Sequence, residues 1–178
     1  MSSLYVSSVG ANETSRLVSA KISRSVVPNL PAMVDLSRNV QCVLGLPIDV
    51  LDLPRALDRI RLAASEVSPF LLSTPNLNFL VNSRTDPDFR ESVQVSDLSL
   101  PDGMPIVWIA KLLGIPIKER VAGSDVFDEL RSDISGRGRL RVFLFGGQEG
   151  LATAVAAKLN AEEGGLQSVG AINPGFGP

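Results

Sequence analysis

FLLSTPNLNFLVNSRTDPDFRESVQVSDLSLPDGMPIVWIAKLLGIPIKERVAGSD, residues 70–125, decides the fold. Two short apolar runs, Phe70–Leu72 and Leu98–Leu100, each stop abruptly. The first runs into Ser73-Thr74-Pro75-Asn76, the second into Pro101-Asp102-Gly103. Each break opens a segment with helical spacing. Strand, polar turn and helix, twice over, is how open α/β sheets place chemistry at the carboxyl ends of their strands. The pattern predicts that Thr74, Asn76 and Asp102 face one cleft.

Upstream, Val40–Leu46 is a strand candidate closed by Gly45 and Pro47. Asp52 then has the position of an N-cap, with Pro54 in the first turn. Leu53, Ala56, Leu57, Ile60 and Ala64 follow at helical spacing. Residues 1–38 are different. They hold nine serines and scattered apolar residues without sustained period. This predicts a poorly ordered extension, with a short helix around 15–27 as the alternative.

Downstream, the pattern predicts helices at 76–83 (Leu77, Leu80 and Val81 inward), at 87–93 (Phe89 and Val93 inward) and at 103–113 (Met104, Val107, Trp108 and Leu112 inward). A further helix, capped by Ser124 or Asp125, buries Val126, Phe127, Leu130 and Ile134. Leu140–Phe145 is a strong strand candidate. Gly146-Gly147-Gln148-Glu149-Gly150 leads from it into a helix carrying Leu151, Val155 and Leu159. Val169–Ile172 is the last strand candidate. The alternation implies a Rossmann-like α/β domain over 39–178, an open and largely parallel sheet with helices on both faces. A strand followed by a Pro/Gly turn at 173–178 has no helix after it, which suggests a domain truncated at its C-terminal end.

Composition removes whole classes of chemistry. The chain has 178 residues, a mass of 18.9 kDa, a formal net charge of −2, no histidine and one cysteine. Ser-His-Asp catalysis, histidine metal sites, Cys-clustered zinc and internal disulfides are excluded. Nothing in the charge balance supplies a general nucleic-acid surface. With no run of about 18 apolar residues and no secretory leader, the chain reads as cytoplasmic. Cys42, inside an apolar run, is expected to be buried.

Several constellations can carry chemistry. In FLFGGQEG (143–150), Gly146, Gly147 and Gln148 lie between a strand and a helix N-terminus, a place where backbone amides bind phosphate. The competing reading is a plain βα turn whose glycines satisfy backbone geometry. Asp102 is either a turn aspartate or a general base. Thr74 and Asn76 are either helix caps or polar contacts to a substrate. Arg120 and Lys118 are either solvated or phosphate-binding. Asp86-Pro87-Asp88 has the spacing of a metal-binding DxD, but its position at a helix start favours capping. Trp108 reads as core, with stacking on a base or sugar as the minor alternative.

TPN before a helix, DLSLPDGMPIVWIAKLLGIPIKERVAGSD at 97–125, FGG after a strand and PGFG at 174–177 together resemble the WecG/TagA/CpsF family of bacterial glycosyltransferases. The resemblance covers about Val40 to Pro178. It implies an inverting, metal-independent enzyme of the Rossmann-like GT-E type, needing no cofactor. Such an enzyme moves an N-acetylmannosamine-type sugar from a UDP-sugar donor to a polyprenyl-diphosphate-linked acceptor, for teichoic acid or exopolysaccharide synthesis at the inner face of the cytoplasmic membrane. It implies Asp102 as the base, Thr74 and Asn76 in the active site, and Arg120 as the arginine of the ERVAG segment. Members continue past the position of Pro178 and many carry a basic C-terminal appendage, so a non-catalytic nucleotide-sugar binding domain is the competing reading. An NAD-dependent oxidoreductase is disfavoured by the missing GxGxxG. Apolar surface left uncovered by a truncation predicts self-association, hence a homo-oligomer.

Overall fold

The computed structural model describes residues 5–6, 38–66 and 69–175. Most of the 1–38 extension, its candidate helix, and Phe176-Gly177 of the PGFG motif lie outside the described residues. The exception in the extension is Tyr5–Val6, strand β1.

A β-hairpin opens the described domain. Strands β2 (Val40–Val43) and β3 (Leu46–Asp49) pair antiparallel through a two-residue turn at Leu44-Gly45. Both turn residues have positive φ, 49° and 93°. This is the backbone a tight hairpin demands, although Leu is a poor residue for it. The sequence expectation of one strand through Leu46 is corrected here: Gly45 turns the chain back and does not end the unit. Cys42 faces outward on β2, exposed rather than buried, because alternation assigns Val43, Leu46 and Ile48 to the core.

Helix α1 (Leu53–Ser65) starts as expected, with the Asp52 side chain accepting the Arg55 N–H and Pro54 in its first turn. Strand β4 (Phe70–Ser73) leads into α2 (Leu77–Thr85), then α3 (Pro87–Gln94). Strand β5 (Leu98–Ser99) pairs parallel with β4 and leads into α4 (Met104–Leu112). Helix α5 (Gly123–Ser132), strand β6 (Leu140–Phe145), α6 (Leu151–Ala161) and β7 (Leu166–Ile172) follow. Strands β6 and β7 pair parallel with a register shift after Val142. β1 pairs antiparallel with β4 and also lies against β6.

Two hydrophobic cores result. In one, Ala56 and Ile60 of α1, Val126 and Leu130 of α5, and Leu159 of α6 cover Leu72, Leu98, Leu100 and Val142. In the other, Leu80 of α2, Val93 of α3 and Ile106, Val107 and Ala110 of α4 pack with Val43, Leu46 and Ile48 of the hairpin. Phe79 and Phe89 meet edge to face at 5.1 Å within it. This is the Rossmann-like α/β arrangement that the alternation predicts.

The helix faces differ from expectation in three places. Met104, Trp108 and Leu112 are 43%, 61% and 87% exposed, while Ile106, Val107 and Ala110 are buried. Helix α4 is apolar all round, so periodicity alone could not choose its inner face. Leu77 and Val81 of α2 also face outward, and Leu80 alone of the three expected inward residues is buried. Ile134 lies beyond the end of α5 and is exposed.

One buried ionic cluster joins the hairpin to the sheet. Asp49, 1% exposed, accepts from Arg38 Nε at 3.1 Å, from Arg38 Nη2 at 2.7 Å and from the Ser99 N–H at 2.8 Å. Arg38 Nη1 also donates to the Ser96 carbonyl at 2.9 Å. Both ends of β5 are held this way.

Candidate active site

The site is assembled by backbone pairing that continues past the strand ends. The Leu100 N–H donates to the Ser73 carbonyl, the Asp102 N–H to the Pro75 carbonyl, and the Val121 N–H to the Pro101 carbonyl, each at 2.9 Å. Three loops, Thr74-Pro75-Asn76, Pro101-Asp102-Gly103 and Arg120-Val121-Ala122-Gly123, are thereby laid side by side at the carboxyl edge. Gly103 has φ 116° and ψ 141°, a conformation open essentially to glycine, and it swings the chain from Asp102 into α4.

Asp102 is half-buried. The backbone N–H of Gly123, at the start of α5, favours its charged form. Loss of hydration pushes its pKa above the ordinary carboxylate value. The Arg120 guanidinium opposes that rise, the Asp125 carboxylate adds to it, and the Gly123 N–H opposes it. Arg120 Nη2 lies 2.6 Å from Asp125 Oδ2, and Ser124 Oγ lies 3.3 Å from Asp125 Oδ1. Thr74 packs on Gly123, where a Cβ would come within 3.2 Å of Thr74 Cγ2 and 3.6 Å of its Oγ1. Glycine at 123 is therefore a matter of close approach.

The structure thus gathers Thr74, Asp102 and Arg120. Asn76 sits on the same edge, but its side chain caps α2 by accepting the Phe79 N–H at 3.2 Å. The sequence reading passed over two members. Asp125 was weighed only as a helix cap, yet the cap position is Ala122, and Asp125 holds Arg120. Gly123 carried no signal beyond its place in the ERVAGSD run.

The turn after β6 is shaped by the sheet's own pairing. The Gly146 N–H donates to the Ile172 carbonyl at 2.8 Å, so it serves the sheet. Gly146, Gly147 and Gly150 all have positive φ. Gly147 and Gln148 are exposed at the turn. Asp86 caps α3, accepting the Phe89 N–H at 2.9 Å, as expected for the Asp86-Pro87-Asp88 run. Among the described residues, no group of three or more cysteine or acidic side chains is placed to hold a metal ion. Lys118 is exposed.

Two open grooves, of about 640 and 570 Å³, lie away from Asp102 around the C-terminal part of α5. Their charged linings pair with each other, Arg131 with Glu162 and Arg61 with Asp133. Those partnerships account for the charges without a ligand. Thr74, Asp102 and Arg120 line neither groove.

Residues 41–178 match the family described as "Glycosyl transferase WecG/TagA/CpsF family". The chain belongs to this glycosyl transferase family. Within WecG/TagA/CpsF relatives, it is similar to an N-acetylglucosaminyldiphosphoundecaprenol N-acetyl-beta-D-mannosaminyltransferase of Bacillus subtilis (strain 168). Identity is 28% over 100 residues, 56% of this chain and 39% of that protein. A protein of the same name from Bacillus spizizenii is 26% identical over 98 residues, 55% of this chain and 37% of its own length. The chain therefore aligns with well under half of each WecG/TagA/CpsF relative. No helix among the described residues is long and apolar enough to cross a membrane.

Proposed function

We propose that this site serves an inverting sugar transfer with Asp102 as the general base. In that reaction the acceptor hydroxyl oxygen attacks the anomeric carbon of a UDP-linked N-acetylmannosamine-type sugar. Its proton passes to the Asp102 carboxylate. The bond from the anomeric carbon to the diphosphate oxygen breaks, and the electron pair leaves with UDP. The acceptor is a polyprenyl-diphosphate-linked sugar presented at a membrane surface. The names of the two relatives support that donor sugar and acceptor class.

The observation that carries the reading is Asp102 itself. It is a partly desolvated carboxylate of raised proton affinity at a strand's carboxyl end, beside a cation. Arg120 is suited to the charge that develops on the diphosphate leaving group, with the N–H groups of Gly147 and Gln148 as further anion donors. Thr74 lines the same cleft, and Asn76 shapes it by capping α2. The reading takes the transfer as metal-independent, so EDTA leaves the rate unchanged.

The test pairs UDP and UDP-sugar titration with a transfer assay on a lipid-linked acceptor. Asp102→Asn is expected to retain UDP binding and to lose transfer by about 10²–10⁴-fold. Turnover by Asp102→Asn close to that of the unsubstituted protein would overturn the assignment. Nucleotide binding without transfer by the unsubstituted chain would favour a binding module instead.

A further inference from the structure

We propose that the outer face of α4 is a membrane-contact surface that seats on an anionic lipid bilayer. Met104, Trp108 and Leu112 recur every four residues and form one outward stripe, 43%, 61% and 87% exposed, with Leu113 beside its end. The opposite side of the same helix is fully committed to the core through Ile106, Val107 and Ala110. The stripe is therefore not surplus core surface that a small rotation could bury.

Charge decides what covers it. From residue 103 to residue 118 the only charged side chains are Lys111 and Lys118, in a chain whose net charge is −2. Both lysines are exposed. A second copy docked through this face about a twofold axis would set the lysines of one copy against those of the other. An anionic bilayer meets them with opposite charge and takes up the leucines and the tryptophan together. Trp at the interface, Leu inserted and Lys at the headgroups is the composition of a helix lying in the interface plane.

The placement fits the site. α4 begins two residues after Asp102, so a bilayer touching the stripe holds the cleft at headgroup level, where a diphosphate-linked sugar is displayed. The choice of lipid over protein leans on the proposed acceptor in this one respect. The experiment does not, because its deciding readouts, emission and co-sedimentation with vesicles, depend on neither donor binding nor transfer.

Trp108 is the only tryptophan in the chain, so intrinsic fluorescence reports directly on the stripe. The protein is titrated with vesicles of phosphatidylglycerol and phosphatidylcholine in equal parts, followed by emission and co-sedimentation, with UDP titration run in parallel. Expected are a blue shift of Trp108 emission and sedimentation with the vesicles, both weakened by salt. Lys111→Glu and Lys118→Glu are each expected to lower apparent affinity by at least about fivefold. Leu112→Asp, at a position with almost no packing to lose, is expected to lower it by about tenfold or more with unchanged circular dichroism. Unchanged emission and no sedimentation at millimolar lipid would overturn the proposal. So would a blue shift that grows with protein concentration in the absence of vesicles, which would identify a second copy. Vesicle binding unaffected by Leu112→Asp would also overturn it.

Discussion

Asp49→Ala tests the element that ties the hairpin to β5. The carboxylate is 1% exposed and accepts three hydrogen bonds, two from Arg38 and one from the Ser99 N–H. Truncation leaves a buried backbone donor and a guanidinium without their acceptor. Breaking a buried pair by removing one partner costs about 3–5 kcal/mol. The Arg38 side chain retains 18% exposure and can recover some hydration, which favours the lower end. For a chain of 178 residues, about 3 kcal/mol corresponds to a fall in Tm of about 6–12 °C. The assay is thermal and urea unfolding of the variant beside Asp86→Ala, an exposed cap expected to cost about 1 kcal/mol. The double variant Arg38→Met/Asp49→Leu should regain most of the loss, since an apolar pair can replace a buried ionic one. It should not regain all, because the Ser99 N–H still lacks an acceptor. An Asp49→Ala Tm close to that of the unsubstituted protein would refute the reasoning.

Three further outcomes follow from single positions. Ser99 Oγ is buried and, among the described residues, has no hydrogen-bond partner; Ser99→Ala is expected to stabilise by about 1 kcal/mol in urea unfolding. Leu44 sits at φ 49° in the hairpin turn and is 60% exposed; Leu44→Asn is expected to gain about 0.5–1 kcal/mol by the same measure, because Asn tolerates that backbone better. The raised pKa of Asp102 means that its charge opposes folding at neutral pH. That contribution favours the fold below the unfolded-state pKa and is lost as pH rises through the folded-state value. Asp102→Asn should therefore melt above the unsubstituted protein near neutral pH, with the difference shrinking as pH falls through the carboxylate range.

The alternation of elements was legible because Pro, Gly and Asp mark nearly every boundary. Asp52, Asn76 and Asp86 cap the helices that spacing assigns to them. Faces were less legible than boundaries, in α2 as well as in α4. α4 has one charged residue, Lys111, so its inner stripe was decided by the hairpin packing against it. The hairpin itself was missed because Leu44 is not a turn-former, and only the chain's return at Gly45 explains its positive φ. Asp49 was invisible for a different reason. Its partners lie 11 and 50 residues away, and no local pattern announces a buried carboxylate.

Asp102 was ambiguous in the sequence because two readings, turn residue and base, were set against each other. The structure places Asp102 in a turn beside the start of α5, where a turn residue can also meet a substrate. Helix α5 has Ala122 at its cap position, with no side-chain capping bond of its own. The Gly123 N–H at that helix start favours the charged form of Asp102, from another loop, without offsetting the loss of hydration that raises its pKa. A Cβ at Gly123 would crowd Thr74. Arg120, held by Asp125 on the first turn of α5, completes the group from the same segment. A helix start thus lies beside the acid and holds the cation through Asp125. This is why the ERVAGSD run, uninformative residue by residue, carries so much of the site: its side chains and one backbone amide act as a single rigid unit beside the PDG turn.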